Sequence, residues 1–401
     1  MNKIVYIINK MRDVKPRDII SIFSMGIARF VAPIAWKEYK GCWLVCEEAM
    51  EARDNGYWFY KYMREKHPDK RCIYAVSRKS VDYTKVTSIG ETVEFGSIKH
   101  WGLYFLCEYN ISSQKGGKPN AAVCAFMELN GIIKVKNVFL QHGVTINNAR
   151  WLYSDRSNFT YFITATRPEN DFIESTFGFP KNTVQYTGFP RFDNLHNIYT
   201  IRNRVLIMPS WRAWFKEKTA QVNRSDSDFE HSEYLEKWRD FISCNRMKEI
   251  IKKFDLEVIF YPHRNMQTYI DFFKGNDSGV IIASARDYDI QELMKSAEMM
   301  ITDYSSVFFD MVYMMKPVIF YQFDEQKFRK QQYQEGYFDY HNNSFGKSFK
   351  DTDLLFEELV RIIEKQFQVS TQFKAERSKI FELFDAKNSE RIYQLLTSNN
   401  K

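Results

Sequence analysis

Two histidines, two serines and a few charged residues stand where short apolar runs end, and their types suit phosphate chemistry. His142 follows VFLQ and precedes Gly143, while His263 follows VIFYP. With an unperturbed pKa of about 6.5, an imidazole is the side chain best suited to remove a hydroxyl proton near neutral pH. Gly143 lets the backbone turn tightly or approach a ligand. In ITDYSSVFFD, Asp303 and then Ser305 and Ser306 interrupt an apolar stretch. Hydroxyl residues at a helix start, beside free backbone N–H groups, can receive a phosphate. Asp310 lies at i+4 from Ser306 on the same helical face, where a carboxylate could accept from both hydroxyls of a ribose. Phosphate grip and ribose acceptor together suggest a nucleotide. Arg212 in MPSWR, and Arg191 with Asp193 in GFPRFD, add charge at other strand ends. Arginine holds a diphosphate bidentately and stabilises a leaving phosphate. Each residue also has a plainer reading: Ser305 as a helix cap, the histidines as structural, the arginines as surface ion pairs.

Such residues need strands to carry them. Apolar runs predict strands at Met299 to Thr302 and Val318 to Tyr321, flanking a helix over Ser305 to Met315. A strand, helix, strand unit of this kind is parallel, and ligands collect beyond the carboxyl ends of its strands. Further strands are expected at Cys42 to Cys46, Arg71 to Ser77, Trp101 to Cys107, Val138 to Leu140 and Tyr161 to Thr164. A second series follows at Val205 to Met208, Glu257 to Tyr261 and Val280 to Ala283, with a helix over Tyr234 to Phe254. The fold class is therefore α/β with largely parallel sheets. At 401 residues the chain exceeds the size of one core. The texture changes near Gly188 and Pro190, which predicts a basic and apolar N-terminal segment over 1–40 and a first domain over 41–190. A second domain is expected over 191–375 and a closing helix over 376–401.

Composition narrows the class. Apolar residues at 44%, with 34 Phe and 24 Tyr, argue against disorder. A net charge of +7 favours anionic partners, but its scatter and the lack of a nucleic-acid signature argue against nucleic acid. The six cysteines read as buried thiols of a reducing compartment, without the spacing of a metal site. Asp287-Tyr288-Asp289 resembles a metal motif, yet Asp289 with Glu292 reads better as a capping box. No secretory signal is expected from the first residues. The apolar stretch Ile19 to Trp36, flanked by Lys10, Arg12, Lys15, Arg17, Lys37 and Lys40, suits a helix lying in an anionic membrane surface. An ordinary core helix plus a strand is the alternative.

The run ITDYSS…FD…KPVIFY, with TGFPRFD, PSWR and YPHRN before it, resembles the CDP-glycerol glycerophosphotransferase family, which includes teichoic acid and capsule-building enzymes. The similarity runs from about Trp43 to Glu364. It implies a GT-B fold, two Rossmann-like domains facing across a cleft with C-terminal helices crossing back. It also implies transfer of a polyol phosphate from CDP-glycerol or CDP-ribitol to a hydroxyl of a lipid-linked glycan or polyol-phosphate chain, with release of CMP and no cofactor or tightly bound metal. The implied catalytic residues are His142, the base, and His263, which helps bind the donor phosphates. Arg212, Ser305 and Ser306 would hold the diphosphate and Asp310 the ribose, supported by Gly143, Arg191, Asp193 and Asp303. The implied location is cytoplasmic, on the inner face of the cell membrane. QHGVTIN departs from the Thr-Pro that follows His-Gly in many teichoic acid polymerases, which leaves the polyol open. A GT-B glycosyltransferase using a nucleotide-sugar, and a non-catalytic protein tethering polyanionic glycan or membrane, are the rival readings.

Overall fold

The computed structural model describes residues 16–215, 226–275 and 277–398. Lys10, Arg12 and Lys15 of the expected basic flank lie outside them, as does part of the polar insertion before Tyr234. Two compact units emerge. The first holds the chain through His142, Arg150–Asn194 and Leu383 onward; the second holds Gly143–Ala149 and Leu195–Glu382. The crossings at Asn194/Leu195 and Glu382/Leu383 lie a few residues beyond the expected boundaries. The short excursion of Gly143–Ala149 into the second unit was not foreseen.

The sheet of the first unit contains β1 (Trp43–Cys46), β2 (Cys72–Val76), β3 (Thr92–Glu94), β4 (Tyr109–Ser112), β5 (Lys136–Phe139), β6 (Tyr161–Thr164) and β7 (Val184–Tyr186). They are ordered β3-β2-β1-β4-β5-β6-β7, and every pairing is parallel. The central strands β1 (WLVC) and β2 (CIYAV) are apolar and buried throughout, as strands covered on both faces are. Helix α1 (Pro16–Ala35) packs Ala28 and Ala32, both fully buried, and Ser21 accepts from Trp101 Nε1 at 3.1 Å. Helix α2 (Asn55–Lys66) follows β1. The expected strand at Trp101 to Cys107 is instead helix α3 (Ile98–Leu106). Ser97 caps it by accepting from His100 N at 3.1 Å, and Gly102 leaves room for the Trp36 ring against its backbone.

In the second unit, β8 (Arg204–Met208), β9 (Glu257–Phe260), β10 (Ile281–Ile282), β11 (Met299–Thr302), β12 (Val318–Tyr321) and β13 (Gly346–Phe349) form a parallel sheet ordered β10-β9-β8-β11-β12-β13. This is the doubly wound order, whose switch point lies between β8 and β11, and ligands bind at such points. The core gathers Trp238, Phe241, Tyr321 and Phe356 around β8 and β11. The expected long helix over Tyr234 to Phe254 is two, Glu233–Ser243 and Asn245–Phe254, broken at an extended Cys244. Asp289 does cap its helix, accepting from Gln291 N and Glu292 N. Glu292, however, accepts from Tyr199 Oη at 2.6 Å and Lys295 Nζ at 3.2 Å, so the reciprocal half of the box is not made.

Candidate functional site

In the first unit the chain leaves β5 and turns sharply at Gln141. This buried residue has φ 60°, a conformation that side chains resist and that concentrates at functional sites. Its Oε1 accepts from His142 N at 3.0 Å, and its carbonyl accepts from Asn55 Nδ2 at 2.6 Å. Asn55 is fully buried at the start of α2 and also accepts from Arg191 N at 3.1 Å. Arg191 Nη1 donates to His142 O at 2.9 Å and to Asp54 Oδ1 at 3.0 Å. The backbone of His142 is thus held on both sides while its residue stays exposed. Behind Asn55, the buried Glu47 at the end of β1 accepts from the backbone N–H groups of Tyr57, Arg53 and Asp54. Burial, then Asp54, push its carboxyl up to about 8, and those N–H bonds pull against the rise.

Asn55 and Gln141 were missed in the sequence. DNG at 54–56 reads as a turn, which hid the asparagine; the Gln before His-Gly was the available signal. Asp193 needs correction. Its Oδ1 accepts from Asn388 N and Nδ2 at 2.9 and 2.8 Å, and its Oδ2 from Ser389 N at 2.9 Å. It binds the first turn of helix α4 (Asn388–Ser398), so its carboxylate is occupied in holding the chain terminus on this unit.

In the second unit the loops after β8 and β11 meet at the switch point. Asp303 is fully buried; its Oδ1 accepts from Ser210 N at 2.8 Å and Tyr304 N at 2.7 Å, and its Oδ2 pairs with Arg212 Nη1 at 2.8 Å. Arg212 has no exposed surface and also grips Asp324 through Nε and Nη2 at 2.7 and 3.0 Å. Burial works against its charge, but Asp303 and Asp324 outweigh that and raise its pKa. With both carboxylates engaged and no exposed face, Arg212 is not presented to a diphosphate in the way expected. It fixes the two loops to each other. Asp310 is likewise fully buried, so its carboxylate is not presented for a ribose as expected.

The helix expected over Ser305 to Met315 is only Phe308–Tyr313, and Val307 occupies its N-cap without a side-chain bond. Ser305 and Ser306 stand in the turn before it, half-buried. The Ser305 hydroxyl accepts only a long bond, 3.4 Å, from Val307 N, so capping does not occupy it strongly. Among the described residues, the amides of Ser305 and Ser306 and the Ser306 hydroxyl have no protein partner. Gly143 lies against this turn: a Cβ there would come 2.7 Å from Ser306 Oγ. His263 stands after β9, half-buried, its Nδ1 accepting from Asn265 N at 3.1 Å. In the neutral ring the proton is therefore on Nε2, which makes this nitrogen a donor suited to a phosphate oxygen.

Residues 29–398 match the family described as CDP-Glycerol:Poly(glycerophosphate) glycerophosphotransferase. The chain belongs to this family. It is 27% identical over 378 residues to the minor teichoic acid biosynthesis protein GgaB of Bacillus subtilis (strain 168), covering 90% of this chain and 40% of that protein. To the teichoic acid poly(glycerol phosphate) polymerase of the same strain it is 24% identical, covering 83% of this chain and 45% of that protein. The chain thus spans less than half the length of these two relatives. The solved structure of the wall teichoic acid polymerase TagF superimposes with a TM-score of 0.66 at 16% identity, covering 98% of both chains. A variant of TagF soaked with CDPG superimposes with a TM-score of 0.65 at 15% identity and the same coverage. The two parallel α/β units are therefore the GT-B-like fold that the resemblance implied.

Proposed function

We propose that this chain transfers a polyol phosphate from a CDP-activated donor, CDP-glycerol or CDP-ribitol, to a hydroxyl of a lipid-linked glycan or polyol-phosphate chain in teichoic acid or capsule synthesis. In this reading His142 takes the proton of the acceptor hydroxyl, whose oxygen attacks the β-phosphorus. The bond from that phosphorus to the bridging oxygen breaks, and the electron pair leaves on CMP. His263 Nε2–H and the amides and hydroxyl of Ser305 and Ser306 stabilise charge on the transferring and leaving phosphates. Arg191, Asn55 and Gln141 orient His142; Asp303 and Arg212 hold the loop that carries the serines.

The observation that carries the reading is the approach of Gly143 to Ser306 Oγ. It ties the residue directly after the candidate base to a turn in which the Ser305 and Ser306 amides and the Ser306 hydroxyl have no protein partner among the described residues. Family membership, and the CDPG soaked into TagF, favour the CDP-linked donor. The test is CMP release with CDP-glycerol and CDP-ribitol in parallel and a lipid-linked acceptor. His142→Ala is expected to abolish turnover while donor affinity stays within about threefold. Full turnover by that variant would remove the base.

The acceptor's lipid gives α1 a role in the same reading. Phe23, Phe30 and Ile34 on this helix are 70%, 80% and 84% exposed, with Ile19 and Ile27 completing the stripe. Lys37 and Lys40 follow it, both exposed. A membrane surface would bury this face, and each such side chain is worth about 1.5–3 kcal/mol on full burial. Co-sedimentation with phosphatidylglycerol vesicles is expected for the wild type and lost in Phe23→Ser/Phe30→Ser/Ile34→Ser. Equal binding by both would refute the contact.

A further inference from the structure

The segment Gly143–Ala149 begins directly after His142 and belongs to the second unit. It is fastened there at successive points. Val144 and Ile146 are buried. Gly336 passes so close that a Cβ on it would lie 2.2 Å from Ile146 O. Asn148 forms an antiparallel bridge with Gln334, its N–H donating to Gln334 O at 3.2 Å. Between these points Asn147 Oδ1 accepts from Arg329 Nη1 at 2.7 Å. Arg329 lies on the helix Glu325–Gln331, with its guanidinium carbon 5.8 Å from the ring centres of both Phe328 and Tyr340.

Arg329 is costly to hold in this place. Its Nε is buried without a hydrogen-bond partner, and among the described residues its one hydrogen bond goes to Asn147. A partly buried guanidinium that serves a single side chain gains little for stability, since most of its donors stay unused. What it does achieve is directional: a planar, aromatic-backed donor fixes the amide of a residue five positions after His142. The same run begins at Gly143, pressed against Ser306. Held in this way, the run fixes the backbone that leaves His142 on its C-terminal side. A displacement of about 1 Å can cost roughly a hundredfold in rate.

We propose that Arg329 is a positioning residue for His142, acting through Asn147. It clamps the run that follows the base to the unit carrying Ser305, Ser306 and His263. This rests on the reading of His142 as the base and of the chain as a CDP-polyol phosphotransferase.

The test is steady-state CMP release from CDP-glycerol or CDP-ribitol, whichever the wild type uses, with donor affinity measured separately by titration calorimetry. The variants are Arg329→Gln, Asn147→Ala, their double mutant, and Asn147→Asp, which keeps the acceptor oxygen. Arg329→Gln and Asn147→Ala should each lower kcat by about tenfold or more, leaving donor Kd within about twofold, because the clamp orients the base without binding the donor. The double mutant should be no slower than the slower single, as expected when both changes remove one interaction. Asn147→Asp should keep near-normal kcat, which a general loss of folding could not produce. Wild-type turnover with singles that leave kcat intact, or whose losses multiply in the double mutant, overturns the clamp while sparing the functional reading. No CMP release by the wild type from either donor overturns that reading, and the clamp with it.

Discussion

Arg212→Met decides between two roles for the guanidinium that the sequence placed on the donor. Methionine keeps the unbranched inner part of the side chain and removes the guanidinium with its charge. Asp303, fully buried, and Asp324, 7% exposed, then face each other without the cation that neutralises both. Asp303 keeps its bonds from Ser210 N and Tyr304 N, but Asp324 loses both guanidinium contacts. Removing one partner of a buried ion pair costs about 3–5 kcal/mol, because the remaining charge has no solvent to turn to. For a domain of the size of the second unit, each kcal/mol lowers the melting temperature by roughly 2–4 °C, so the expected fall is about 6–20 °C. Scanning calorimetry measures it, and donor titration well below the transition measures what the folded variant still binds. Arg212→Met/Asp324→Leu should recover part of the loss, since it also removes the stranded carboxylate. An unchanged melting temperature together with loss of donor affinity would refute the reasoning. The guanidinium would then touch the diphosphate after all.

Two further outcomes are expected. Gly143→Ala should push the Ser306 hydroxyl from its place, because the added Cβ would meet Ser306 Oγ at 2.7 Å. Donor affinity should fall by about two- to tenfold, the worth of one neutral hydrogen bond, and Gly143→Ala/Ser306→Ala should bind no worse than Ser306→Ala. Losses that multiply would mean that the two residues act separately. His100 concerns acid stability: it is fully buried, its Nδ1 accepts from Gly96 N at 3.0 Å, and burial lowers its pKa to about 3. The unfolded chain takes up this proton near the ordinary value of 6.5. Between these values the unfolded state binds more protons, so stability is complete above about pH 6.5 and falls as pH drops towards 3. His100→Gln should flatten that slope in denaturant melts across the range, and an unaltered slope would assign the acid sensitivity to other groups.

The strands were legible where burial on both faces leaves nothing but apolar residues. YFIT, MMIT and VIFY have the limits that their composition predicts. The same criterion failed at Trp101 to Cys107, an apolar run that is a helix, and passed over YNIS, the true strand β4. Its Asn110 looks foreign to a sheet core until its amide is seen donating to Gly117 O and Asn137 Oδ1. Site residues divide in a similar way. A charged side chain shows its position in the sequence but not its partner. Arg212 finds Asp324 across 112 residues, and Asp193 finds Asn388 across 195. Both are engaged within the protein, however well their strand ends seemed to suit a ligand. Ser305, Ser306 and His263 were more legible because what they offer is local. Two backbone amides and a hydroxyl have no protein partner among the described residues, and the ring of His263 accepts from an amide two residues away. The charges around these strand ends mainly build the frame, and the small residues among them leave backbone donors without such partners.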